Sequence, residues 1–199
     1  MGPEPGSSPF RTRGLVYLGA REYFTRRLQG NRTAIDLALN EPMRAFWSQI
    51  FVASGMYDVL PIVDLSAAVA RLADVGHREL VIDTASWLAS QHLNGVYRLL
   101  LKLSSARQVA ARLPQLSMRY FDFGGSVVEE LGASSMRAAQ TGVPAPLVSW
   151  MTWVVEGFAK VVLRSAGARV VNIQIIGEAR DGVVGGMETR TLRWQIQWR

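Results

Sequence analysis

The sequence predicts a single α+β domain in which helices pack on a C-terminal antiparallel sheet. Apolar and polar residues alternate within residues 171–175 and 192–198, which is the pattern of strands with one apolar and one hydrated face. Apolar residues recur at helical spacing through much of the preceding chain. The chain has 199 residues, of which 49% are hydrophobic and 19% charged, and this is enough to build one folded core.

The opening residues are rich in Pro, Gly and Ser and carry neither the basic nor the apolar part of a secretory signal. We therefore predict a flexible tail over residues 1–12 and one binding domain over residues 13–199. The chain has no cysteine, which excludes disulfides, and we identify no apolar run of about 18 residues that could span a membrane. These features favour a cytoplasmic protein.

Three predicted elements build the N-terminal half. Residues 14–19 are apolar between glycines, which predicts a short strand. Residues 33–54 have helical character, with a restart at Pro42. Residues 62–75 place apolar side chains at helical spacing, and Gly76 ends that helix.

The longest predicted helix covers residues 80–103. Its apolar face carries Ala85, Leu88, His92, Val96, Leu99 and Leu103. A further helix begins at Ser105 and is bent or split at Pro114. Residues 126–143 are predicted to form two weak strands, because Ala138, Ala139 and Gln140 favour strands poorly.

The C-terminal part has the clearest patterns. A helix is predicted over residues 147–165, with Trp150 on its inner face and an ion pair between Glu156 and Lys160 on its outer face. A strand pair then runs from Val170 to Trp198. Residues 177–186 are too many for a tight turn, so we predict a long mobile loop there.

The chain is basic, with a formal net charge of +6, and Lys102 and Lys160 are its only lysines. The densest basic group lies near the N-terminus and comprises Arg11, Arg13, Arg21, Arg26, Arg27 and Arg32. Such a group forms either a solvated surface or a patch for nucleic acid or another acidic partner. Candidates for that patch are Arg21, Arg26, Arg27 and Arg32.

The residues that catalysis usually needs are scarce. Two histidines and no cysteine cannot form a typical structural zinc site, so no metal site is predicted. We find no nucleophile elbow and no phosphate-binding loop. We therefore expect a non-enzymatic protein with no catalytic residue. An enzyme acting on an apolar substrate stays a second alternative, and it would have to use Asp58, Asp122 or His92.

The candidate pocket residues are His92, Tyr57, Trp47, Tyr97 and Trp150. A histidine on an apolar helix face is a core residue, an axial ligand of a haem-like cofactor, or a polar contact to a bound ligand. The aromatic residues either pack in the core or line an apolar pocket, since such pockets are rich in aromatic side chains.

Several segments together resemble a known family. Residues 55–61, 93–98 and 119–124 occur in that order, and the helix with Trp150 and a terminal strand with Trp194 and Trp198 follow. This arrangement resembles a bacterial paralogous family of unknown function, best known from myxobacteria. That family is distantly similar to vinyl-reductase-type ligand-binding domains and to haem nitric-oxide-binding domains. The resemblance implies helices packed on a C-terminal antiparallel sheet, and a sensory or small-molecule-binding module that forms homodimers.

The sequence departs from both distant relatives. Vinyl-reductase-type domains often carry cysteines in the C-terminal hairpin, and this chain has none. The haem domains use a Tyr-x-Ser-x-Arg motif after the proximal histidine. The nearest match here, Tyr17-x-Gly19-x-Arg21, lacks the serine and precedes both histidines. These departures count against haem, and the resemblance transfers no site residue.

We therefore predict a sensory or scaffold module that binds an apolar small molecule or a protein partner, as a homodimer and with no cofactor required by its sequence. The alternative is a nucleic-acid or anionic-surface binder that uses the N-terminal arginines.

Overall fold

A computed structural model describes residues 4–92 and 104–199 of the chain. Its helices are α1 (Gly14–Arg27), α2 (Arg32–Ala38), α3 (Glu41–Ser48), α4 (Pro61–Leu72), α5 (His77–His92), α6 (Ala106–Ala110), α7 (Leu113–Ser117) and α8 (Val148–Ser165). Its strands are β1 (Arg11–Arg13), β2 (Met56–Asp58), β3 (Gly125–Leu131), β4 (Ser135–Pro144), β5 (Val171–Val184) and β6 (Met187–Trp198). Strands β3, β4, β6 and β5 form one antiparallel sheet in that order, while β1 and β2 pair separately. The predicted α+β class with a C-terminal antiparallel sheet is confirmed.

The N-terminal residues differ from the predicted flexible tail. Phe10 is 2% exposed, and its backbone carbonyl accepts a hydrogen bond from the Val59 amide at 3.0 Å. The buried carboxylate of Asp58 accepts hydrogen bonds from the amides of Gly6 and Ser8, at 3.0 and 3.1 Å. The chain is therefore packed on the domain well before residue 13, because a buried acidic side chain supplies acceptors for backbone amides that would otherwise need water.

The predicted strand over residues 14–19 is wrong, since these residues begin helix α1. Val16, Ala20 and Phe24 lie on one face of this helix and are buried. Gly14 is a packing residue: a Cβ atom there would lie 2.1 Å from the Val52 carbonyl oxygen. The glycine thus permits close approach of two backbone segments and does not mark the boundary of a strand.

The region predicted as helical over residues 33–54 contains two helices, and the second ends at Ser48. Each begins at an asparagine whose side chain accepts a hydrogen bond from a backbone amide: Asn31 from Ala34 and Asn40 from Met43. Pro42 lies in the first turn of α3, where a proline costs no backbone hydrogen bond. The predicted helix over residues 62–75 is confirmed as α4.

Helix α5 begins at His77, three residues before the predicted start, and is described as far as His92. The rest of the predicted helix lies outside the described residues. Beyond it, the expected split at Pro114 is confirmed, because α6 and α7 are separate helices. Ser105 begins α6 with a reciprocal capping box to Gln108.

The two weak strands are confirmed as β3 and β4, and the helix after them as α8, which follows a short 3-10 turn. The position of Glu156 differs from the prediction. Its side chain is only 14% exposed and contacts both Arg78 of α5 and Lys160, each at 2.6 Å. The predicted pair with Lys160 is present, but Glu156 also faces α5, so it joins two helices.

The mobile loop predicted over residues 177–186 is wrong, because β5 and β6 pair almost to their ends. The turn consists of Gly185 and Gly186, whose φ angles are +56° and +77°. Two glycines at positive φ form the tight turn that matches the twist of a hairpin. Cross-strand ion pairs support the extension, including Arg180 with Glu188 at 3.1 Å.

No membrane-spanning segment is expected from the sequence, whereas the helical stretch Ala145–Ser165 has the length and mean hydropathy, 1.2, of a candidate span. In this fold 39% of its apolar window is buried, and it packs against α5 and the sheet. The core helix of a soluble protein satisfies the same criterion, so this is weak evidence for a membrane location.

Candidate functional site: an apolar cavity between helices and sheet

A cavity of about 120 Å³ lies between the helices and the sheet. Helices α1, α4, α5, α7 and α8 form one side, and strands β3, β4 and β6 form the other. Every described residue of its lining is uncharged, and most are aliphatic or aromatic. An apolar cavity of roughly 150 Å³ in another protein stays free of water and binds benzene. The size and chemistry of this cavity therefore suit a small apolar molecule.

Helix α8 supplies the largest part of the helical wall, with Trp150, Met151, Val154, Val155, Phe158 and Ala159. These residues recur at helical spacing and therefore share one broad side of the helix. The helix is held against α5 at Gly157, whose carbonyl accepts a hydrogen bond from the Ser86 hydroxyl at 3.2 Å. The contact between α5 and α8 thus sets the position of this wall.

The sheet wall comes from alternate residues of two neighbouring strands. Met136, Ala138 and Gln140 of β4 line the cavity, as do Trp194 and Ile196 of β6. The register places Ala138 opposite Trp194. Because side chains alternate between the faces of a sheet, these residues all project towards the helices.

Four of the lining residues carry polar groups of two kinds. The hydroxyls of Ser66 and Thr84 donate to carbonyls of their own helices, those of Val63 and Leu80, at 3.0 and 2.7 Å. In contrast, two donors are buried without a partner: the Gln140 side-chain nitrogen Nε2 and the Trp194 indole nitrogen Nε1. The sheet wall of the cavity thus contains two residues with unused, buried N–H donors.

The predicted pocket residues do not all lie in the cavity. Trp150 lines the cavity. Trp47 and Tyr57 lie outside it and pack around Phe51, with ring centroids 6.4 and 4.8 Å from that residue. Tyr97 and the side chain of His92 lie outside what the structure describes. The aromatic residues near Phe51 are thus core residues, while Trp150 lines the cavity.

The four arginines of the predicted basic patch are not alike. Arg21 is half-buried, donates hydrogen bonds to the carbonyls of Trp47 and Gln49, and lies 4.7 Å from the Trp47 ring centroid. Burial lowers the pKa of Arg21, and nearby Arg32 adds to this effect. Arg26, Arg27 and Arg32 are exposed. Arg26 and Arg27 end helix α1, where a positive charge stabilises the helix terminus, so their position has a structural explanation.

Neither carboxylate considered for an enzyme lies in the cavity lining. Asp58 is 1% exposed, and its side chain also accepts hydrogen bonds from the Ser8 hydroxyl at 2.5 Å and the Leu60 amide at 2.9 Å. The Asp122 side chain accepts a hydrogen bond from the Arg11 amide at 2.8 Å. Both carboxylates hold the N-terminal segment in place.

Sequence reasoning missed Gln140, Trp194 and Met136 as cavity residues. A signal was present in the alternation Met136-x-Ala138-x-Gln140, since every second residue of a strand faces the same side. By its conformational preference, Gln140 is only a poor strand residue. A glutamine that shares one face of a strand with apolar residues indicates a polar contact inside a cavity.

His77 begins α5 outside the cavity, and its Nε2 atom lies 2.8 Å from the Ser66 hydroxyl. Burial is the main reason that its pKa is lowered from 6.5, with Arg71 adding to the effect and Asp64 opposing it. The unfolded chain therefore binds a proton more readily than the folded protein. The contribution of His77 to stability is complete above pH 6.5 and is lost as the pH falls through the folded-state pKa.

We expect His77→Gln to reduce the loss of unfolding free energy between pH 7 and pH 5. Urea unfolding at several pH values measures this, with the wild type as reference because other groups titrate equally in both proteins. Parallel pH curves for the two proteins would contradict the prediction.

No family model matches the sequence, and no curated protein matches it either. Solved structures do match in fold. The Fe(II) unliganded H-NOX protein from K. algicida has a TM-score of 0.66 at 14% identity, covering 94% of this chain and 96% of that one. A mutant H-NOX protein from T. Tengcongensis has a TM-score of 0.67 at 8% identity, with coverages of 94% and 97%. An oxygen-bound H-NOX domain related to soluble guanylate cyclases has a TM-score of 0.63 at 7% identity, with coverages of 94% and 95%.

These matches show the α+β fold of H-NOX domains, which are the haem nitric-oxide-binding domains of the predicted resemblance. That part of the resemblance is confirmed for the fold. The likeness to a bacterial paralogous family and to vinyl-reductase-type domains stays a prediction.

The fold makes haem the cofactor to test against the cavity. Haem needs an axial ligand and a setting for two propionate groups. Met136, Met151 and Tyr120 are of residue types that ligate haem iron, but no described lining residue is a histidine, lysine or arginine. No group of three or more histidine, cysteine, aspartate or glutamate side chains able to hold a metal ion occurs among the described residues. The described lining therefore does not fit haem, although the fold is compatible with it.

Proposed function

We propose that this domain is a non-enzymatic sensory module that holds a small, uncharged, apolar molecule between its helices and its sheet. The observation that carries the proposal is the uncharged lining of a cavity inside the core. The fold adds support, because the H-NOX structures that it resembles include an Fe(II) protein and an oxygen complex. A small-molecule sensor is the function common to the fold and the cavity.

The lining also supports a ligand other than haem. Transfer of charged propionates into an apolar site without a cation is strongly unfavourable. A porphyrin is also several times larger than the benzene-sized molecules that suit a cavity of about 120 Å³. We therefore assign the cavity to a neutral molecule and not to haem.

The same lining supports binding without catalysis. General acid–base and nucleophilic catalysis need a titratable group or an activated nucleophile close to the reacting atom. The described lining contains no carboxylate, histidine, lysine or cysteine. We expect the domain to work as a homodimer in the cytoplasm.

Benzene binding tests the proposal. At about ten times its Kd, a ligand that binds only the folded state adds about 1.4 kcal/mol, which raises the Tm of a chain of this size by about 3–6 °C. We expect such a rise for the wild type. Ala138→Leu, which places extra atoms on the cavity wall, should abolish it, whereas the exposed control Ala179→Leu should not. An unchanged Tm in the wild type at saturating benzene would contradict the proposal.

Addition of haemin tests the choice of ligand. We expect no stoichiometric haem absorption band to remain with the protein after gel filtration. A retained band that disappears in Ala138→Leu and persists in Ala179→Leu would show that haem occupies the cavity and would overturn the assignment to a neutral molecule.

A further inference from the structure

We infer that the ligand of this cavity carries an uncharged hydrogen-bond acceptor, such as a carbonyl oxygen, which Gln140 and Trp194 bind together. This inference rests on the proposed function and makes it more specific. It names the chemical class of the ligand and the two residues that distinguish it from a hydrocarbon.

The two residues lie on neighbouring strands of the sheet wall. Gln140 of β4 is opposite Leu192 of β6, and Trp194 is two residues further along β6. Diagonal neighbours of this kind on one face of a sheet are about 7–8 Å apart, within reach of long and aromatic side chains. Both residues line the cavity, so their side chains lie beside the same apolar space.

Both donors are deeply buried and unused. Gln140 is 2% exposed and Trp194 is 3% exposed, and neither Gln140 Nε2 nor Trp194 Nε1 has a hydrogen-bond partner. Buried N–H groups are nearly always paired, because a group removed from water loses hydrogen bonds that the protein must replace. Two unpaired donors in one cavity wall therefore indicate a partner that enters the cavity from outside.

The rest of the lining narrows the class of that partner. The Ser66 and Thr84 hydroxyls already donate to helix carbonyls. An anion is disfavoured, since no described lining residue is positively charged. A pure hydrocarbon would leave both donors unpaired. A neutral ketone, aldehyde or ester satisfies the donors and fills the apolar space.

Acetophenone and α-methylstyrene are matched probes for this idea, because they have the same shape and differ by a carbonyl oxygen in place of a methylene group. Calorimetry on the purified protein gives the Kd of each. We expect acetophenone to bind the wild type about tenfold more tightly, which is the effect of about one hydrogen bond. In the double variant Gln140→Leu with Trp194→Phe, the two Kd values should become equal.

Gln197→Leu is the matched control, since Gln197 lies on the exposed side of β6 and does not line the cavity. It should keep the tenfold preference. The single variant Gln140→Leu should lose part of the preference for acetophenone. This variant tests the inference if the double variant does not fold. The indole N–H resonance of Trp194, assigned by its loss in Trp194→Phe, should move on addition of acetophenone and much less with α-methylstyrene.

The outcomes separate the two proposals. If both probes bind the wild type with equal Kd, or if the preference survives in the folded variants, the role of Gln140 and Trp194 is overturned while the cavity remains a binding site. If neither probe binds although benzene raises the Tm, the inference about Gln140 and Trp194 is overturned, and if benzene does not bind either, the proposed function itself fails. Binding of both with a preference that the variants remove supports both proposals.

Discussion

Gly157→Ala should destabilise the protein by about 2 kcal/mol, although alanine favours a helix over glycine by about 1 kcal/mol. A Cβ atom at Gly157 would lie 2.4 Å from the Ile82 carbonyl oxygen and 3.0 Å from the Ala85 Cβ atom. The first of these is backbone of α5, which cannot rotate away as a side chain can. The two helices must therefore move apart, and the loss of packing exceeds the gain in helix propensity. Urea unfolding measures the change.

Gly76→Ala is the control, because the nearest atom to its added Cβ would be the Glu79 Cβ at 3.9 Å, an ordinary contact. It should change stability by less than about 0.5 kcal/mol. Gly157→Val should cost more than Gly157→Ala. Since α8 carries Trp150 and much of the cavity wall, Gly157→Ala should also weaken benzene binding. Equal stability of Gly157→Ala and the wild type would contradict the close crossing of α5 and α8.

Asp58→Ala should have the larger effect, a loss of about 4 kcal/mol. The substitution removes the acceptor of three backbone amides, those of Gly6, Ser8 and Leu60, and of the Ser8 hydroxyl. Donors left buried without a partner account for the loss. The segment before β1 should then detach, and limited proteolysis should cut near Ser8 faster than in the wild type.

Asp122→Ala is the matched control. Asp122 is exposed, and the structure gives its side chain one hydrogen bond, from the Arg11 amide. It should cost about 1 kcal/mol or less. If Asp58→Ala were no more destabilising than Asp122→Ala, the Asp58 carboxylate would not hold the N-terminal segment.

The sequence predicts correctly those elements in which the local residue pattern and the packing agree. Helix α8, the N-terminal end of β5 and the C-terminal end of β6 follow from the periodicity of their apolar residues. The strands β3 and β4 were also predicted, despite weak propensity. Ala138 and Gln140 favour a strand poorly, but pairing of β4 with both β3 and β6 overrides that preference.

Two of the failures involve glycine. The pattern around Gly14 predicts a strand boundary because glycine often ends an element, whereas its role is to let α1 approach the backbone at Val52. In the hairpin, Gly185 and Gly186 form a tight turn and not part of the predicted long loop. Both cases depend on contacts between segments distant in sequence or on pairing along a whole strand. The conformational propensities of single residues carry no information about such contacts or about strand pairing.

The candidate site was predicted only in part. Trp150 was identified because a tryptophan on the inner face of a regular helix is visible in the sequence. Trp47 and Tyr57 also belong to an aromatic cluster but pack around Phe51, since their segment folds on α1 and away from the sheet. Which aromatic cluster encloses space depends on how helices and sheet meet. That geometry has no local signature.

The indole rings of Trp150 and Trp194 on opposite walls of the cavity give the protein an intrinsic optical reporter. Tryptophan emission responds to the polarity and hydrogen bonding of its surroundings, so entry of a carbonyl compound should change the fluorescence of the unlabelled domain. The other four tryptophans lie outside the lining and are expected to contribute a constant background: Trp47, Trp87, Trp153 and Trp198. Candidate ligands can thus be screened by intrinsic tryptophan fluorescence, without chemical modification of the protein or the ligand.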